Sequence, residues 1–391
     1  MPINYLYIDD EKTAVLELMT SSIINRSNNE LNISHTQVLG PLGEAVSYIQ
    51  KHQDEFQGII IDQDLKAASD SGKKADYYGT TFAQQLRTYM AISRTDRRAQ
   101  SVLKTMPLVL MSNEDVIVKS FEPDDSSKNL FDYVVSKTSL RQQPAQIRTA
   151  NVLCDLVDAY DVANKYFKSE GELNDEEIRS ILKVDEHRYG YIDSRFLDYI
   201  KPKANDPHAL VGSIYSSLVQ SAGMLVTEDM LKTKLGITGS SRGWETLKEK
   251  YFKPFLYHGP FGRIKERWWF SGIEDWWYEL HPEDVLQSLT AQERVDIVME
   301  KVGIEELNPI STRYPGDESK YYWVNCVLSG LPLDPFDGLR VRDPDAKPWE
   351  QVKYLDLKTF KTDTTGKYAV HRDDHSKVRL LLARLKPDVN S

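Results

Sequence analysis

The sequence alternates short, almost wholly apolar runs with longer segments of helical periodicity. The apolar runs cover residues 5–8, 58–61, 107–111 and 131–135, and a further, more polar strand is expected at 31–38. Runs of this kind are typical of strands whose two faces are both buried. One intervening segment carries Val15, Leu18, Met19 and Ile23 at helical spacing. The alternation predicts an α/β fold, in which a doubly wound five-stranded parallel sheet has helices on both faces.

Polar residues stand where each predicted strand ends. Because the carboxyl ends of parallel strands lie at one edge of a sheet, we expect these side chains to converge there. Adjacent carboxylates repel each other unless a cation such as Mg²⁺ offsets their charge, so this edge is a candidate cation site. The alternative is that the first two acids are solvated and begin a helix. The residues concerned are Asp9 and Asp10, then Asp62 and Asp64, then Ser112, and finally Lys137.

This order of side chains resembles that of the receiver domain of bacterial response regulators, over roughly the first 145 residues. The resemblance implies that Asp62 is a phospho-acceptor, that Ser112 hydrogen-bonds the acyl phosphate and that Lys137 pairs with it. It also implies a Mg²⁺ site formed by Asp9, Asp10, Asp62 and the backbone carbonyl of Asp64. Phosphoryl transfer depends mostly on positioning and charge neutralisation, which a metal ion and an ammonium around a carboxylate provide.

The chain departs from the receiver pattern near Lys137. Thr138 stands where the family usually has proline, and Val134 occupies the position of the aromatic switch residue. The acid cluster itself is intact. Two hypotheses follow: the pocket accepts phosphate, or it is retained only as a scaffold or metal site.

The remaining sequence predicts three further parts: a helical connector (146–207), a winged-helix-like domain (208–285) and a small α+β region (286–391). In the winged-helix-like part we expect helices at 210–222 and 243–251, with Thr227 as a helix N-cap and Gly236 as a turn residue. Two β-prone runs between 255 and 270 predict a hairpin. In the last part, strands are expected at 352–357, 367–370 and 378–385.

The winged-helix-like part is locally basic. Residues 230–270 contain nine Lys and Arg against three Asp and Glu, although the whole chain has a net charge of −10. Such a patch can meet DNA phosphates. Docking of another protein is the alternative, which the neighbouring tryptophans favour. The candidate nucleic-acid contacts are Lys232, Lys234, Ser240, Ser241, Arg242, Lys248, Arg263, Lys265 and Arg267.

Composition narrows the class of protein. No stretch approaches 18 apolar residues, so no membrane association is expected. Two well-separated cysteines, Cys154 and Cys326, predict neither a disulfide framework nor a zinc site, which favours a cytoplasmic location. No phosphate-binding loop or nucleophile motif occurs, so we do not expect an enzyme.

Two functions from different classes remain. The first is a response-regulator-like phosphorelay protein whose phosphorylated Asp62 controls DNA binding by the winged-helix-like part. The second is a non-catalytic adaptor of a bacterial conflict (antiviral) system, with the divergent receiver as an interaction platform. The expected partners are a histidine kinase or other phosphodonor, double-stranded DNA, another protein and a second copy of the chain.

Overall fold

The chain forms two compact units. The computed structural model describes residues 2–66, 72–95, 103–121, 125–312, 318–363 and 366–384. The first unit comprises Met1–Lys183, Asp198–Tyr215 and Gly259–Ile264, and the second comprises Val184–Leu197, Ser216–His258 and Lys265–Ser391. These bounds differ from the four predicted parts, since the connector and the winged-helix-like segment each contribute to both units.

A five-stranded, all-parallel sheet is the centre of the first unit, as the sequence predicts. Its strand order is β2-β1-β3-β4-β5. The three central strands are buried almost throughout, whereas β2 at one edge alternates buried and exposed residues. The strands are β1 (Ile3–Ile8), β2 (Leu31–Thr36), β3 (Gly58–Ile61), β4 (Leu108–Ser112) and β5 (Tyr133–Ser136).

Helices cover both faces of this sheet. On one face, Ile59 and Ile61 pack in a cluster with Val46 of α2 and Phe82 of α3. On the other, Tyr5 donates a hydrogen bond to a backbone carbonyl of α5 (2.8 Å). The helices of this unit are α1 (Thr13–Arg26), α2 (Leu42–His52), α3 (Gly79–Thr95), α4 (Glu114–Phe121), α5 (Gln143–Lys165), α6 (Asp175–Leu182) and α9 (Pro207–Ile214).

The second unit contains short strands and helices around an aromatic core. Trp244, Trp268 and Trp277 are buried in this core. Its helices are α7 (Glu186–Tyr189), α10 (Glu228–Lys234), α11 (Trp244–Leu247), α12 (Phe270–Leu280), α13 (Ala291–Val302), α14 (Leu357–Thr362) and α15 (His375–Arg384). Its strands are β6 (Leu225–Thr227), β7 (Arg267–Trp269), β8 (Val324–Asn325), β9 (Pro332–Leu333), β10 (Leu339–Arg340) and β11 (Tyr354–Leu355). Helix α8 (Ser194–Ile200) spans the boundary between the two units.

Several local predictions are confirmed. Thr227 caps α10 by accepting a hydrogen bond from the Met230 amide, and Gly236 turns the chain with φ +74°. The φ value explains the glycine, since other residues are strained there. The sequence pairs Asn174 with Glu177, and Thr290 with Glu293, also predict capping boxes, and these form where α6 and α13 begin.

Other local predictions are wrong. Residues 378–384 belong to α15 rather than to a strand, because Val378 and Leu381 face the core at helical spacing; Leu385 lies outside the described residues. The predicted hairpin is also different. β7 pairs antiparallel with β6, and the earlier β-prone run contributes a single bridge, from Leu256 to Trp268.

Two features bear on the environment of the chain. Within the described residues, no helix combines the length and apolar character that crossing a bilayer requires. Cys154 and Cys326 are both buried free thiols.

Candidate functional site

The sheet brings Asp9 and Asp62 side by side. Ile8 at the end of β1 is the register partner of Ile61 at the end of β3, and the Asp62 amide donates to the Ile8 carbonyl (2.9 Å). The residue after each strand therefore occupies the same level at the carboxyl edge of the sheet. The predicted convergence follows from β1 and β3 being neighbours in the strand order.

Lys137 joins the two carboxylates from the far side of β4. Its amide donates to the Ser112 carbonyl (2.8 Å), which fixes its backbone where β5 ends. Its Nζ lies 2.8 Å from Asp9 Oδ2 and 2.8 Å from Asp62 Oδ1. We refer to Asp9, Asp62 and Lys137 as the acid pocket.

The acid pocket is almost closed to solvent. Asp9 is fully buried and Asp62 is 4% exposed. Backbone amides satisfy one oxygen of each carboxylate, because Glu11 N donates to Asp9 Oδ1 (2.9 Å) and Asp64 N donates to Asp62 Oδ2 (2.8 Å). The other oxygen of Asp62, Oδ1, makes the ion pair with Lys137 but no well-aligned hydrogen bond within the described part of the chain. It is the buried acceptor with capacity for a further ligand.

Burial raises the pKa of Asp62 to about 6, and Asp9 adds to this rise, while Lys137 opposes it. For Lys137 the balance is reversed: burial lowers its pKa, but the charges of Asp62 and Asp9 outweigh burial and raise it. The pocket therefore holds a permanent cation opposite two carboxylates, one of which titrates near neutrality. Above pH 6 Asp62 is an ionised, poorly solvated carboxylate, as a nucleophile requires.

The remaining predicted residues of the site surround this contact. Asp10 follows Asp9 and is partly buried, Ser112 ends β4 and is buried, and Asp64 is exposed. Within the described ranges, no three His, Cys, Asp or Glu side chains are arranged as a preformed metal site. The carboxylates have the donor chemistry that Mg²⁺ prefers, and Asp62 Oδ1 can accept a further ligand besides its ion pair with Lys137.

Sequence reasoning missed two residues that support the pocket. A Cβ on Gly79 would lie 2.2 Å from the Asp62 carbonyl oxygen, so only glycine allows α3 to begin this close to β3. Gln63 accepts a hydrogen bond from the Thr80 amide (3.1 Å), and its carbonyl accepts one from the Gly79 amide (3.0 Å). No local sequence pattern signals this contact, because it depends on the distance between α3 and the backbone of Asp62.

Four of the candidate nucleic-acid residues are exposed: Ser240, Arg242, Arg263 and Lys265. Arg242 has 84% of its side chain exposed and lies 3.8 Å from Glu306, while Lys265 has 53% exposed and lies 3.6 Å from Asp229. Ser240 is exposed in the turn before α11. Of the nominated cations, Arg242 and Lys265 are the best placed to meet a phosphate.

Two further candidates, and also Arg263, are held by acidic side chains. Lys232 and Lys248 both pair with Glu228, at 2.6 and 3.4 Å. Arg263, in the segment that belongs to the first unit, pairs with Glu30 (2.7 Å) and Asp155 (3.2 Å), and also contacts Asp158. Their charge is largely compensated within the chain.

The remaining three, Lys234, Ser241 and Arg267, are buried, so their assignment as phosphate contacts is wrong. Lys234 is 3% exposed, with its Nζ 4.0 Å from the centre of the Trp323 ring, and burial lowers its pKa to about 7. The Ser241 hydroxyl accepts from the Asn308 amide (2.9 Å), and Arg267 donates to the Val219 carbonyl. The sequence pattern could not show this, because lysine and arginine are buried in so few positions.

Comparisons with known proteins add little to this geometry. No family model and no curated protein matches the chain. Among solved structures, one similarity is to the lysine decarboxylase LdcF of Francisella novicida, with 12% identity over 60% of this chain and a TM-score of 0.18. The chain spans 32% of that protein. A similarity of this size supports no conclusion about fold or function.

Proposed function

We propose that the first unit is a receiver-like signalling module in which Asp62 accepts a phosphoryl group with the help of Mg²⁺. The observation that supports this most directly is the contact of Lys137 with both Asp9 and Asp62, at 2.8 Å each, where the parallel strands end. Two buried carboxylates and a largely buried ammonium, far apart in the sequence, lie together here. Their burial costs free energy, so the arrangement is consistent with a function.

In the proposed reaction, an oxygen of the Asp62 carboxylate attacks the phosphorus of the donor. A new P–O bond forms while the bond from phosphorus to the histidine nitrogen, or to the leaving oxygen of a small phosphodonor, breaks. The leaving group takes its proton from solvent. Asp9, Asp10, Asp62 and the Asp64 carbonyl would hold Mg²⁺, which supplies charge neutralisation when bound. Lys137 balances the negative charge that the phosphoryl group brings.

Beryllofluoride binding tests this proposal, since this anion imitates the phosphoryl group on a carboxylate. Wild-type protein should bind it only with Mg²⁺ and should gain one phosphoryl mass from a small phosphodonor. Asp62→Asn should do neither, because an amide is not a nucleophile. Asp54→Asn is the matched control, since Asp54 is an exposed aspartate of the same unit that pairs with Lys104. Binding that persists in Asp62→Asn, or that Asp54→Asn also removes, would contradict the proposal.

For the second unit we propose a winged-helix-like arrangement that docks another protein. Helices α10 and α11 follow β6 and precede β7 in the sequence. Leu256 forms a bridge to Trp268 of β7, so a third extended segment lies beside the β6–β7 pair. The burial or pairing of most nominated cations favours a protein partner over DNA. DNA binding is the second candidate function of the second unit.

The salt dependence of DNA binding separates the two outputs. If only Arg242 and Lys265 reach phosphates, the slope of log K against log salt on a mixed duplex should be about −2, whereas the seven nominated Lys and Arg together would give about −6. We therefore expect weak retention at low salt that Arg242→Glu with Lys265→Glu abolishes. The same double variant should leave the melting temperature nearly unchanged. A slope near −6 would restore DNA as the target.

A further inference from the structure

The second unit buries a lysine that neither proposed function uses. Lys234, the last residue of α10, is 3% exposed. Its Nζ lies 4.7 Å from the centre of the Phe270 ring and 4.0 Å from the centre of the Trp323 ring. Within the described residues, Nζ makes neither a hydrogen bond nor an ion pair. Aromatic rings replace water only in part, so the charged form of this amine is costly here.

Arg294 of α13 places a second buried cation beside the same ring. Its Cζ lies 5.9 Å from the centre of the Trp323 ring, and its Nη1 donates to the backbone carbonyl of Lys234. Arg294 is fully buried, and its Nη2 has no hydrogen-bond partner among the residues that the structure describes. A buried donor without an acceptor costs free energy. Arg294 therefore offers an unused donor to an anion formed near Lys234.

The charged groups around Lys234 leave its amine largely neutral at physiological pH. Burial lowers the pKa of Lys234 to about 7, which Glu274 of α12 opposes and Arg294 reinforces. Asp334, which follows β9, and Glu293 attract Arg294. An ordinary lysine is only about 0.1% neutral at pH 7.5. Because the neutral amine is the nucleophile, Lys234 is far more reactive towards electrophiles than an exposed lysine.

Only a small electrophile can reach this amine. Trp323 is partly exposed and lines a surface cavity of about 490 Å³, but Lys234 itself is almost closed to solvent. Carbon dioxide is small and uncharged, so it enters apolar surroundings without a desolvation cost. Its adduct with an amine is an anionic carbamate. An anion is the product that the unpartnered Nη2 of Arg294 can stabilise.

We propose that Lys234 is a carbon dioxide site, at which its ε-amine forms a reversible carbamate that accepts a hydrogen bond from Arg294. The amine nitrogen forms a bond to the carbon of CO₂ while one C=O π bond opens to give a carboxylate oxygen. The nitrogen releases one proton to solvent. The reaction needs no metal, oxidant or reductant, and the site does not depend on the acid pocket.

Trapping with ¹³C-labelled bicarbonate tests this proposal on the full-length chain. Triethyloxonium ethylates carbamates, so peptide mass spectrometry then locates the label. At pH 7.5, Lys234 of wild type should carry at least about tenfold more label than Lys253, an exposed lysine of the same unit (72% of its side chain). At constant dissolved CO₂, the label on Lys234 should rise with pH through about 7, whereas an exposed lysine should respond only about three units higher.

Two arginine variants separate the site from background chemistry. Lys234→Arg should lose the label, because a guanidinium stays charged, and Lys253→Arg should keep it on Lys234. Bicarbonate at fixed pH and ionic strength should raise the melting temperature of wild type and of Lys253→Arg but not of Lys234→Arg. If Lys234→Arg melts early, Lys234→Met replaces it.

Three results overturn the proposal. They are folded wild type without label on Lys234, equal labelling of Lys234 and Lys253, and a bicarbonate effect on melting that persists without Lys234. Asp62→Asn should keep the label on Lys234. That variant separates failure here from failure of the phosphorylation proposal, which the beryllofluoride experiment decides.

Discussion

Replacing Asp132 by asparagine is expected to lower the free energy of unfolding of the first unit by about 3–5 kcal/mol. Asp132 lies immediately before β5, and its side chain is 2% exposed. One of its oxygens lies 2.6 Å from Arg87 Nη2 of α3, whose side chain is 9% exposed. An amide in this position leaves the Arg87 charge buried without compensation, which is the costly way to break a buried ion pair.

The effect should be large because Asp132 connects several elements. Its Oδ1 accepts from the Tyr160 hydroxyl of α5 (2.8 Å) and lies 3.0 Å from His208 Nδ1 of α9, while its Oδ2 accepts from the Leu108 amide (2.8 Å). Arg87 also donates to the Tyr160 hydroxyl (3.0 Å). The network therefore joins α3, α5 and α9 to the edge of the sheet. The losses of unfolding free energy caused by substituting its members one at a time are expected not to add up in multiple variants.

The pH dependence follows from the sign of the pKa shift. Burial alone would raise the pKa of Asp132, but the charge of Arg87 and the hydrogen bond from His208 outweigh burial and hold it well below its usual range. A depressed carboxyl pKa stabilises the fold above the unfolded value, near 4, and this stability is lost as the pH falls further. Wild type should thus lose this contribution in acid, whereas Asp132→Asn has none to lose.

Urea unfolding measured at pH 7 and in acid checks this prediction. The midpoint should fall in Asp132→Asn at pH 7 with little change in slope. Asp54→Asn, which removes an exposed carboxylate from the same unit, should behave as wild type. A loss below about 1 kcal/mol in Asp132→Asn would mean that the buried pair contributes little.

Replacing Lys137 by methionine is expected to be the second severe change. It removes the cation that lies between Asp9 and Asp62 and leaves two buried carboxylates facing each other. The cost at pH 8 should be about 3–5 kcal/mol, because both charges lose their compensation. The size and chain length of methionine keep the packing of the lysine stem, so the loss reports mainly on charge.

The loss in Lys137→Met should shrink as the pH falls. Burial already raises the pKa of Asp62 to about 6, and Lys137 opposes this rise, so removing Lys137 raises it further. A carboxyl group whose pKa is higher in the folded state favours folding at low pH, and this advantage disappears as the pH rises through the folded value. The variant should therefore be much closer to wild type at pH 5 than at pH 8.

Thermal unfolding between pH 5 and 8 measures this trend. Adding Asp62→Asn to Lys137→Met should recover part of the stability at pH 8, because one of the two uncompensated charges is gone. Mg²⁺ should stabilise Lys137→Met only if the carboxylates bind it. Lys104→Met, at an exposed lysine, is the control. A loss that is the same at every pH would show that Lys137 acts through packing rather than charge.

Part of the candidate site was predictable from the sequence because the physics is local. Buried strands have apolar sequences, and the residue after each parallel strand lies at the carboxyl edge of the sheet, so the sequence places Asp9, Asp62 and Lys137 at one edge. The support from Gly79 was not predictable. It depends on the distance between α3 and the backbone of Asp62, which no local pattern encodes.

The basic patch shows the opposite outcome. A count of lysines and arginines between 230 and 270 predicted a phosphate-binding surface, but Lys234 and Arg267 are buried and Lys232 and Lys248 share Glu228. The number of charged residues in a sequence segment does not show which acidic side chains will pair with its lysines and arginines in the folded chain. In the same way, the sequence could not predict the Asp132 network, since its members come from four separate segments of the chain.

The sequence alone determined the five parallel strands, the caps of α6, α10 and α13, and the identity of the residues at the strand ends, because each depends on periodicity or on neighbours within a few residues. Only the tertiary structure decided which charges are neutralised and which apolar side chains stay in water. Those outcomes depend on burial and on contacts between distant segments. Thus Lys137 reaches across β4 to Asp9, while Phe336 and Leu380 remain exposed.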